Sequence, residues 1–256
     1  MPILEAGERL DQVNESLQLI CKKDGLTFGT DAFLLASFLR PNRRGRAVEL
    51  GTGTGIISLL AAARARFSLI FSLEVQEDFA TLAARNVILN GLVDRVRVRH
   101  CDLREVTAFD LGGEVDAVFS NPPYMRTDSG KRNESEWKYI ARHEVFGGIG
   151  DFCACGRRLL KHGGKFYCVW RPDRLSELMS ALAENRLEPK VMAFVHADVG
   201  AEPSMVLVSA TKGGAPGMRI LPPLILHEAL NTDGSGRALS PRAAAIYDTM
   251  NFYEGL

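Results

Sequence analysis

The residues with the strongest chemical signature lie in Val48-Glu49-Leu50-Gly51-Thr52-Gly53-Thr54-Gly55. Glycines at alternate positions permit positive φ and let a ligand lie against bare backbone. The apolar run Ala47 to Leu50 enters this stretch and Ile56 to Ala63 leaves it, which reads as strand, glycine turn and helix. The helix would present free N–H groups and the positive end of its dipole to whatever the turn holds. Dinucleotide-binding turns space their glycines G-x-G-x-x-G, whereas here the spacing is G-x-G-x-G with Glu49 two residues ahead. That carboxylate would repel a pyrophosphate and attract a ligand carrying an ammonium group.

Further polar groups end the strands that follow. Glu74 lies 19 residues after Gly55, the separation at which an acidic residue can accept both hydroxyls of a ribose. Asp102 ends the next strand, beside Cys101 and Leu103, and Asn121-Pro122-Pro123-Tyr124 ends the one after. Each has a plainer reading: Glu74 as a helix cap, Asp102 as a loop aspartate, the two prolines as a rigid turn. A doubly wound sheet binds ligands beyond the carboxyl ends of its strands, so suitable groups at successive strand ends argue for one site.

The Asn-Pro-Pro-Tyr stretch indicates the reaction. The lone pair of an amino group on an aromatic base, or of a side-chain amide, is delocalised, which makes the nitrogen a poor nucleophile. Two acceptors aimed at its hydrogens would turn the lone pair toward an electrophile. Asn121 can supply a side-chain oxygen and Pro122 a backbone carbonyl, in a segment stiffened by Pro123. Tyr124 offers a flat face on which a base can stack, worth about 1–3 kcal/mol.

Arg126, Lys131, Arg132, Lys138, Arg142 and His143 follow, interleaved with Trp137 and Tyr139. Basic and aromatic residues beside the site suit a phosphate backbone and an unstacked base. Asp128, Glu134, Glu136 and Glu144 dilute that charge, and an ordinary solvated loop accounts for the composition equally well. The histidines and cysteines lack ligand-like spacing, so no metal is expected.

The elements that must position these groups alternate. Strands are expected at Leu69–Val75, Val96–His100, Val115–Ser120 and Lys165–Trp170, and helices at Glu77–Asn90, Phe152–Leu160 and Leu175–Asn185. Gly163-Gly164 reads as the stop of the second of these helices. Two more strands, near Val191–Val195 and Met205–Thr211, have no helix between them, which fits an antiparallel hairpin at one edge. The pattern predicts an α/β fold: a doubly wound, Rossmann-like, mostly parallel sheet of about seven strands with helices on both faces. Upstream, alternation at Leu17, Leu19 and Cys21 followed by Asp24-Gly25 suggests a small hairpin. Thr30 can cap a helix Asp31–Leu39, and Asn42–Arg46 reads as a basic turn. Ile220–Leu226 could add a strand, and Pro241–Tyr253 a terminal helix.

Glu49 with its glycines resembles motif I of the class I S-adenosylmethionine-dependent methyltransferases. Asn-Pro-Pro-Tyr resembles the subset that methylates adenine N6, guanine N2 or glutamine amide nitrogen. Phe28-Gly29-Thr30-Asp31, Ile140-Ala141-Arg142-His143-Glu144 and Arg171-Pro172-Asp173-Arg174-Leu175 are similar to a narrower group, the bacterial tRNA1(Val) (adenine-37-N6)-methyltransferase family. The resemblance runs from about Leu17 to Thr211. It implies S-adenosyl-L-methionine as cofactor, held by Thr30, Asp31, Glu49, Gly51, Thr52, Gly53, Gly55, Glu74, Val75, Asp102, Leu103 and Asn121. It implies catalysis by Asn121, Pro122 and Tyr124, with the target adenine of a tRNA against Tyr124; the basic composition that follows makes Arg126, Lys131, Arg132, Arg142 and His143 the expected contacts to the RNA. One domain over 1–256 is expected, with an N-terminal hairpin extension over 1–29 and a C-terminal extension over 213–256.

Composition bounds the alternatives. With 31 basic and 31 acidic residues the 256-residue chain is formally neutral, so affinity for nucleic acid must come from a local surface. It is 46% hydrophobic and 24% charged, as a globular domain requires. No signal pattern or apolar run of membrane length is present, and a cytoplasmic protein with reduced thiols is expected. A protein glutamine methyltransferase shares the Asn-Pro-Pro-Tyr motif but usually carries a helical domain before motif I. A non-catalytic cofactor- or RNA-binding protein would have no need of both Asn121 and Tyr124. A NAD oxidoreductase is disfavoured by the glycine spacing and Glu49.

Overall fold

The computed structural model describes residues 3–23, 28–123, 147–230 and 237–254. A hairpin, β1 (Glu8–Gln12) and β2 (Gln18–Lys22), precedes helix α1 (Thr30–Phe38). Strand β3 (Asn42–Leu50), helix α2 (Ile56–Ala63), β4 (Phe67–Glu74), α3 (Glu77–Leu89) and β5 (Val96–His100) make the first half. The second half runs β6 (Val115–Ser120), α4 (Ile149–Leu159), β7 (Leu160–Trp170), α5 (Leu175–Glu184), β8 (Leu187–His196) and β9 (Pro203–Lys212). Two-residue strands β10 (Arg219–Ile220) and β11 (Leu224–Ile225), a hairpin β12 (His227–Leu230) and β13 (Arg237–Leu239), and helix α6 (Pro241–Thr249) close the chain.

The sheet order is β10-β8-β9-β7-β6-β3-β4-β5, with β11 also on β8. β5, β4, β3, β6 and β7 are parallel neighbours, and β9 runs antiparallel to both β7 and β8. The expected Rossmann-like sheet and antiparallel hairpin are both present. The order reverses between β3 and β6, and the carboxyl ends of those strands flank the crevice that such folds use for ligands.

Both faces of the sheet are covered. One core gathers Leu34, Leu35 and Phe38 of α1, Leu59 and Leu60 of α2, and Ile246 of α6 against Ala47, Ile70 and Ala117. The other gathers Phe152, Cys153 and Leu159 of α4 and Leu178 and Leu182 of α5 against Val48, Leu50 and Val118. Helix α2 is apolar nearly all round and is buried from Ile56 to Ala62, as a helix sandwiched between layers must be.

Three local expectations are corrected, at Asn42–Arg46, at Gly163-Gly164 and at the cap of α1. The N-terminal hairpin turns at residues 13–17, where Asn14 Oδ1 accepts from the N–H groups of Ser16 and Leu17; the turn expected at Asp24-Gly25 lies outside the described residues. This side-chain turn supplies the bonds that a glycine turn takes from backbone. Asn42–Arg46 is the irregular start of β3, with a register shift where Asn42 Oδ1 accepts from Gly45 N. Gly163-Gly164 lies inside β7, because α4 has already ended at Leu159 and Gly163 (φ +77) takes up a bulge opposite β6. Helix α1 is capped by Gly29 with no side-chain bond, while Asp31 Oδ1 accepts from Ala32 N at 2.9 Å.

Two anchors tie the hairpin to α3. Arg85 clamps the buried carboxylate of Glu8 at 2.7 and 2.9 Å, with Lys22 at 3.4 Å. That guanidinium, foremost among the influences, holds the Glu8 carboxyl down at about 2. Asn86 and Asn90 each bond both backbone groups of a β2 residue, Ile20 and Gln18, as a neighbouring strand would. Asn86 Nδ2 also reaches Thr54 O, so the hairpin is linked to the glycine turn.

Candidate functional site

Gly51 (φ +68), Gly53 (φ +56) and Gly55 (φ +88) all adopt left-handed backbone, which a side chain would strain. A Cβ at Gly53 would meet nothing within 4 Å, so bare backbone faces open space there. At Gly55 it would stand 3.4 Å from the Ala83 methyl, where α3 packs close to the turn. The turn is fastened from beneath: Gly51 N and Thr52 N both donate to Leu73 O.

Two acidic residues sit under this loop. Glu49 is 1% exposed. Its Oε2 accepts from Thr52 Oγ1 at 2.6 Å, Ser58 N at 3.1 Å and Ser58 Oγ. Ser58 Oγ in turn lies 2.7 Å from Ser72 Oγ, which continues the network. Burial pushes the Glu49 carboxyl up to about 7, against the pull of Ser58 and Thr52. Glu74 accepts from Gly53 N at 2.8 Å through Oε2, and from Val75 N and Gln76 N at 3.1 Å through Oε1. Burial raises its pKa as well, with those N–H groups opposing.

Asn121 follows Ser120, which pairs with Leu50 and donates its hydroxyl to Leu50 O at 2.7 Å. The β3–β6 register therefore sets Asn121 beside Gly51. Its Nδ2 donates to Asp31 Oδ2 at 2.8 Å, and its Oδ1 is buried with no partner among the described residues. A leftover acceptor in a buried position costs about 1–3 kcal/mol unless something fills it. Thr30, Asp31 and Asn121 line a cavity of about 290 Å³ with Trp170, Arg171 and Ser204.

Asp102 stands further along the strand ends. Arg104 holds it in an ion pair, with Nε 2.9 and 3.0 Å from its two oxygens, and keeps its carboxyl below the usual range. It lines a second, open cavity with His100, Cys101 and Asp110, while Leu103 is buried behind it. Cys101 N donates to Glu74 O, so the two acidic residues share one backbone ladder.

The strand ends thus bring Glu49, Thr52, Gly53 and Glu74 into one cluster, Asn121 with Thr30 and Asp31 into a second, and Asp102 with Leu103 into a third. Pro122 is buried beside Asn121. Tyr124, Arg126, Lys131, Arg132, Arg142 and His143 lie outside the described residues. Sequence reasoning missed Ser58 and Ser72, although Ser58 is the one polar residue in the apolar run Ile56 to Ala63. It also missed Trp170 and Ser204 beside Asn121, which the β6–β7 and β7–β9 pairings bring there. Among the described residues no group of three His, Cys, Asp or Glu is placed to hold a metal, and no helix is long and apolar enough to cross a membrane.

Residues 20–186 match the model of the methyltransferase small domain. The tRNA1(Val) (adenine(37)-N6)-methyltransferase of Phocaeicola vulgatus is 30% identical over 181 residues, 71% of this chain and 75% of that one. The Bacteroides fragilis protein of the same name is 30% identical over 189 residues, 74% of this chain and 78% of its own. Among solved structures, an Agrobacterium tumefaciens protein described as a predicted O-methyltransferase superimposes with a TM-score of 0.69 at 23% identity, covering 88% of this chain and 98% of that one. The tRNA m1G37 methyltransferase of M. jannaschii superimposes with a TM-score of 0.55 at 12% identity, over 82% and 58% of the two chains. The structural likenesses speak for the fold, and the sequence matches for kinship: the chain belongs to the tRNA1(Val) (adenine(37)-N6)-methyltransferase family, within the methyltransferase small-domain proteins.

Proposed function

We propose that the protein transfers a methyl group from S-adenosyl-L-methionine to N6 of an adenine in tRNA, at anticodon-loop position 37 of a valine tRNA. The observation that carries this reading is the orphaned Asn121 Oδ1, buried at the switch point beside Gly51. An acceptor stranded there calls for a donor from a ligand, and an exocyclic amino group is such a donor. Membership of the family and the names of its relatives supply the adenine and the tRNA.

The residues present fit the cofactor. Bare backbone at Gly53 leaves room against the turn. The Glu74 carboxylate has lone pairs to spare for ribose hydroxyls, since three N–H donors use part of its capacity. Glu49 provides negative charge under the loop, and Thr52, Gly51 and Gly55 shape it; Asp102, Leu103 and Val75 continue the same edge. When bound, the cofactor supplies an electrophilic methyl on a sulfonium sulfur. Asn121 Oδ1 and the Pro122 carbonyl would each accept one amino hydrogen and so turn the lone pair toward that methyl. Positioning of this kind dominates an in-line displacement. Tyr124 would stack on the base, and Arg126, Lys131, Arg132, Arg142 and His143 would meet the RNA backbone.

The test is incubation with radiolabelled cofactor and total cellular RNA, followed by nucleoside analysis. Label in N6-methyladenosine of a valine tRNA is expected. Label confined to other nucleosides, or no transfer to RNA at all, would overturn the reading. Asn121→Ala should abolish transfer and leave cofactor affinity nearly unchanged.

A further inference from the structure

We infer that Asp31 is a positioning residue: its carboxylate fixes which way the Asn121 amide faces, and so makes Oδ1 the acceptor for the substrate amino group. The inference rests on the methyl-transfer reading above and gives Asp31 a task other than cofactor contact.

An asparagine side chain has two faces of opposite character, a carbonyl oxygen that accepts and an NH2 that donates. Nothing in the covalent structure of Asn121 selects between them. An amide turned the wrong way would point two hydrogens at the two hydrogens of an amino group and repel it. Asp31 removes the ambiguity, because a carboxylate only accepts. Its Oδ2 takes the Asn121 NH2 at 2.8 Å, and Oδ1 of the amide is left buried with no partner among the described residues.

Asp31 is itself held. It lies in the first turn of α1, where its Oδ1 accepts from Ala32 N at 2.9 Å. Both of its oxygens are therefore committed as acceptors in different directions. Gly29 makes room for this posture: a Cβ there would stand 2.6 Å from Asp31 Oδ1. The backbone of Gly29 has an ordinary φ of −104°, so the demand for glycine is steric, and it is the Asp31 carboxylate that requires it.

The polarity of the pair can be reversed by exchanging its members. In the double variant Asp31→Asn with Asn121→Asp, the amide introduced on α1 would accept from Ala32 N and donate to the carboxylate introduced after β6. That carboxylate would keep its other oxygen without a partner, where Asn121 Oδ1 now stands. Asn121→Asp alone would set two carboxylates face to face, and one of them would have to move or take up a proton.

Two measurements on the full chain test the inference. The first is kcat and KM for methylation of tRNA by the wild type, Asp31→Asn, Gly29→Ala, Asn121→Asp and the double swap. Asp31→Asn keeps a good helix-terminus residue but has only one oxygen for two donors, so kcat should fall by about 100-fold, the usual cost of a misplaced group, with KM for RNA and cofactor nearly unchanged. Gly29→Ala should reproduce that loss in kcat. The double swap should recover at least about tenfold over Asn121→Asp, which corresponds to about 1.4 kcal/mol. Wild-type kcat in Asp31→Asn, or no recovery in the swap, would overturn the inference and leave methyl transfer standing. The second measurement needs no turnover: the Asn121 side-chain NH2 in selectively 15N-labelled protein should exchange slowly with solvent, and rapidly in Asp31→Ala. Rapid exchange in the wild type would overturn the inference even if the enzyme is active. An inactive wild type with a protected Asn121 amide would sink the functional reading and spare the contact.

Discussion

Glu8 and Glu49 are both buried carboxylates, at 4% and 1% exposure, and they titrate in opposite directions. Glu8 is gripped by the Arg85 guanidinium and lies near 2. Glu49 has only hydroxyls and one backbone N–H for company and lies near 7. The first is a finished ion pair that fastens a hairpin to a helix. The second is a carboxyl whose burial no cation among the described residues offsets, placed under a loop with open space above Gly53. Where the fold needs only strength it supplies its own countercharge. A cationic methyl donor bound over the glycine loop would supply the countercharge that Glu49 lacks among the described residues.

The largest expected effect comes from breaking the finished pair. Arg85→Ala would leave Glu8 with the Glu5 backbone N–H at 2.9 Å and, as its one cation among the described residues, Lys22 at 3.4 Å; it should cost about 3 kcal/mol in urea unfolding at pH 7, the low end for one partner lost from a buried pair. The loss should shrink as pH falls from 4.5 through about 2, below which Glu8 is protonated in both states. A loss under about 1 kcal/mol at pH 7 would show the pair to be no stronger than an exposed one.

The second effect sharpens the contrast through pH. Below the ordinary 4.5 both states of Glu49 hold their proton; between 4.5 and about 7 the unfolded chain releases it and the folded chain does not. Stability should therefore fall as pH rises across that window, by up to about 3 kcal/mol, and then level off. Glu8 acts the other way: its contribution is full above 4.5 and lost as pH falls toward about 2. Glu49→Gln should remove the Glu49 share of the decline above 4.5, leaving only the share of Glu74, whose carboxyl burial also raises. A slope unchanged in that variant would assign the whole decline to groups other than Glu49.

Cofactor binding offers a third, smaller signal. A cation bound near Glu49 should draw off its proton, so the calorimetric heat of binding at pH 6.5 should differ between buffers of different ionisation enthalpy, and that difference should vanish in Glu49→Gln. The smallest effect is expected at Gly53, where a methyl meets only open space. Gly53→Ala should cost about 1 kcal/mol of backbone strain in urea unfolding, and a cofactor lying on that backbone would lose affinity as well.

The same contrast explains what could be read in advance. The order of strands and helices was legible because each leaves a periodicity in a short window, and the glycine turn because Glu49 and its glycines are contiguous. The titration of Glu49 was not, since it depends on Ser58 closing over it from the next helix. The link between Asp31 and Asn121 spans 90 residues of chain and exists only because α1 packs at the end of β6. The bulge at Gly163 was misjudged because two glycines after a helix look like its stop, and only pairing with β6 shows that the strand has begun at Leu160.

The tail, whose sequence indicates a terminal helix but no chemical role, grips α1. Phe252 N donates to Ser37 O, Phe252 meets Phe38 edge-on at 5.2 Å between ring centroids, and Tyr247 stacks on Phe33 at 4.3 Å. Arg66 bonds both Leu39 O and Met250 O, which joins the helix end to the tail. During synthesis the whole of β3 to β9 emerges before that grip exists. A nascent chain would thus complete its sheet with the helix bearing Asp31 packed on α2, β7 and β9 but not yet clasped from outside by residues 241–254.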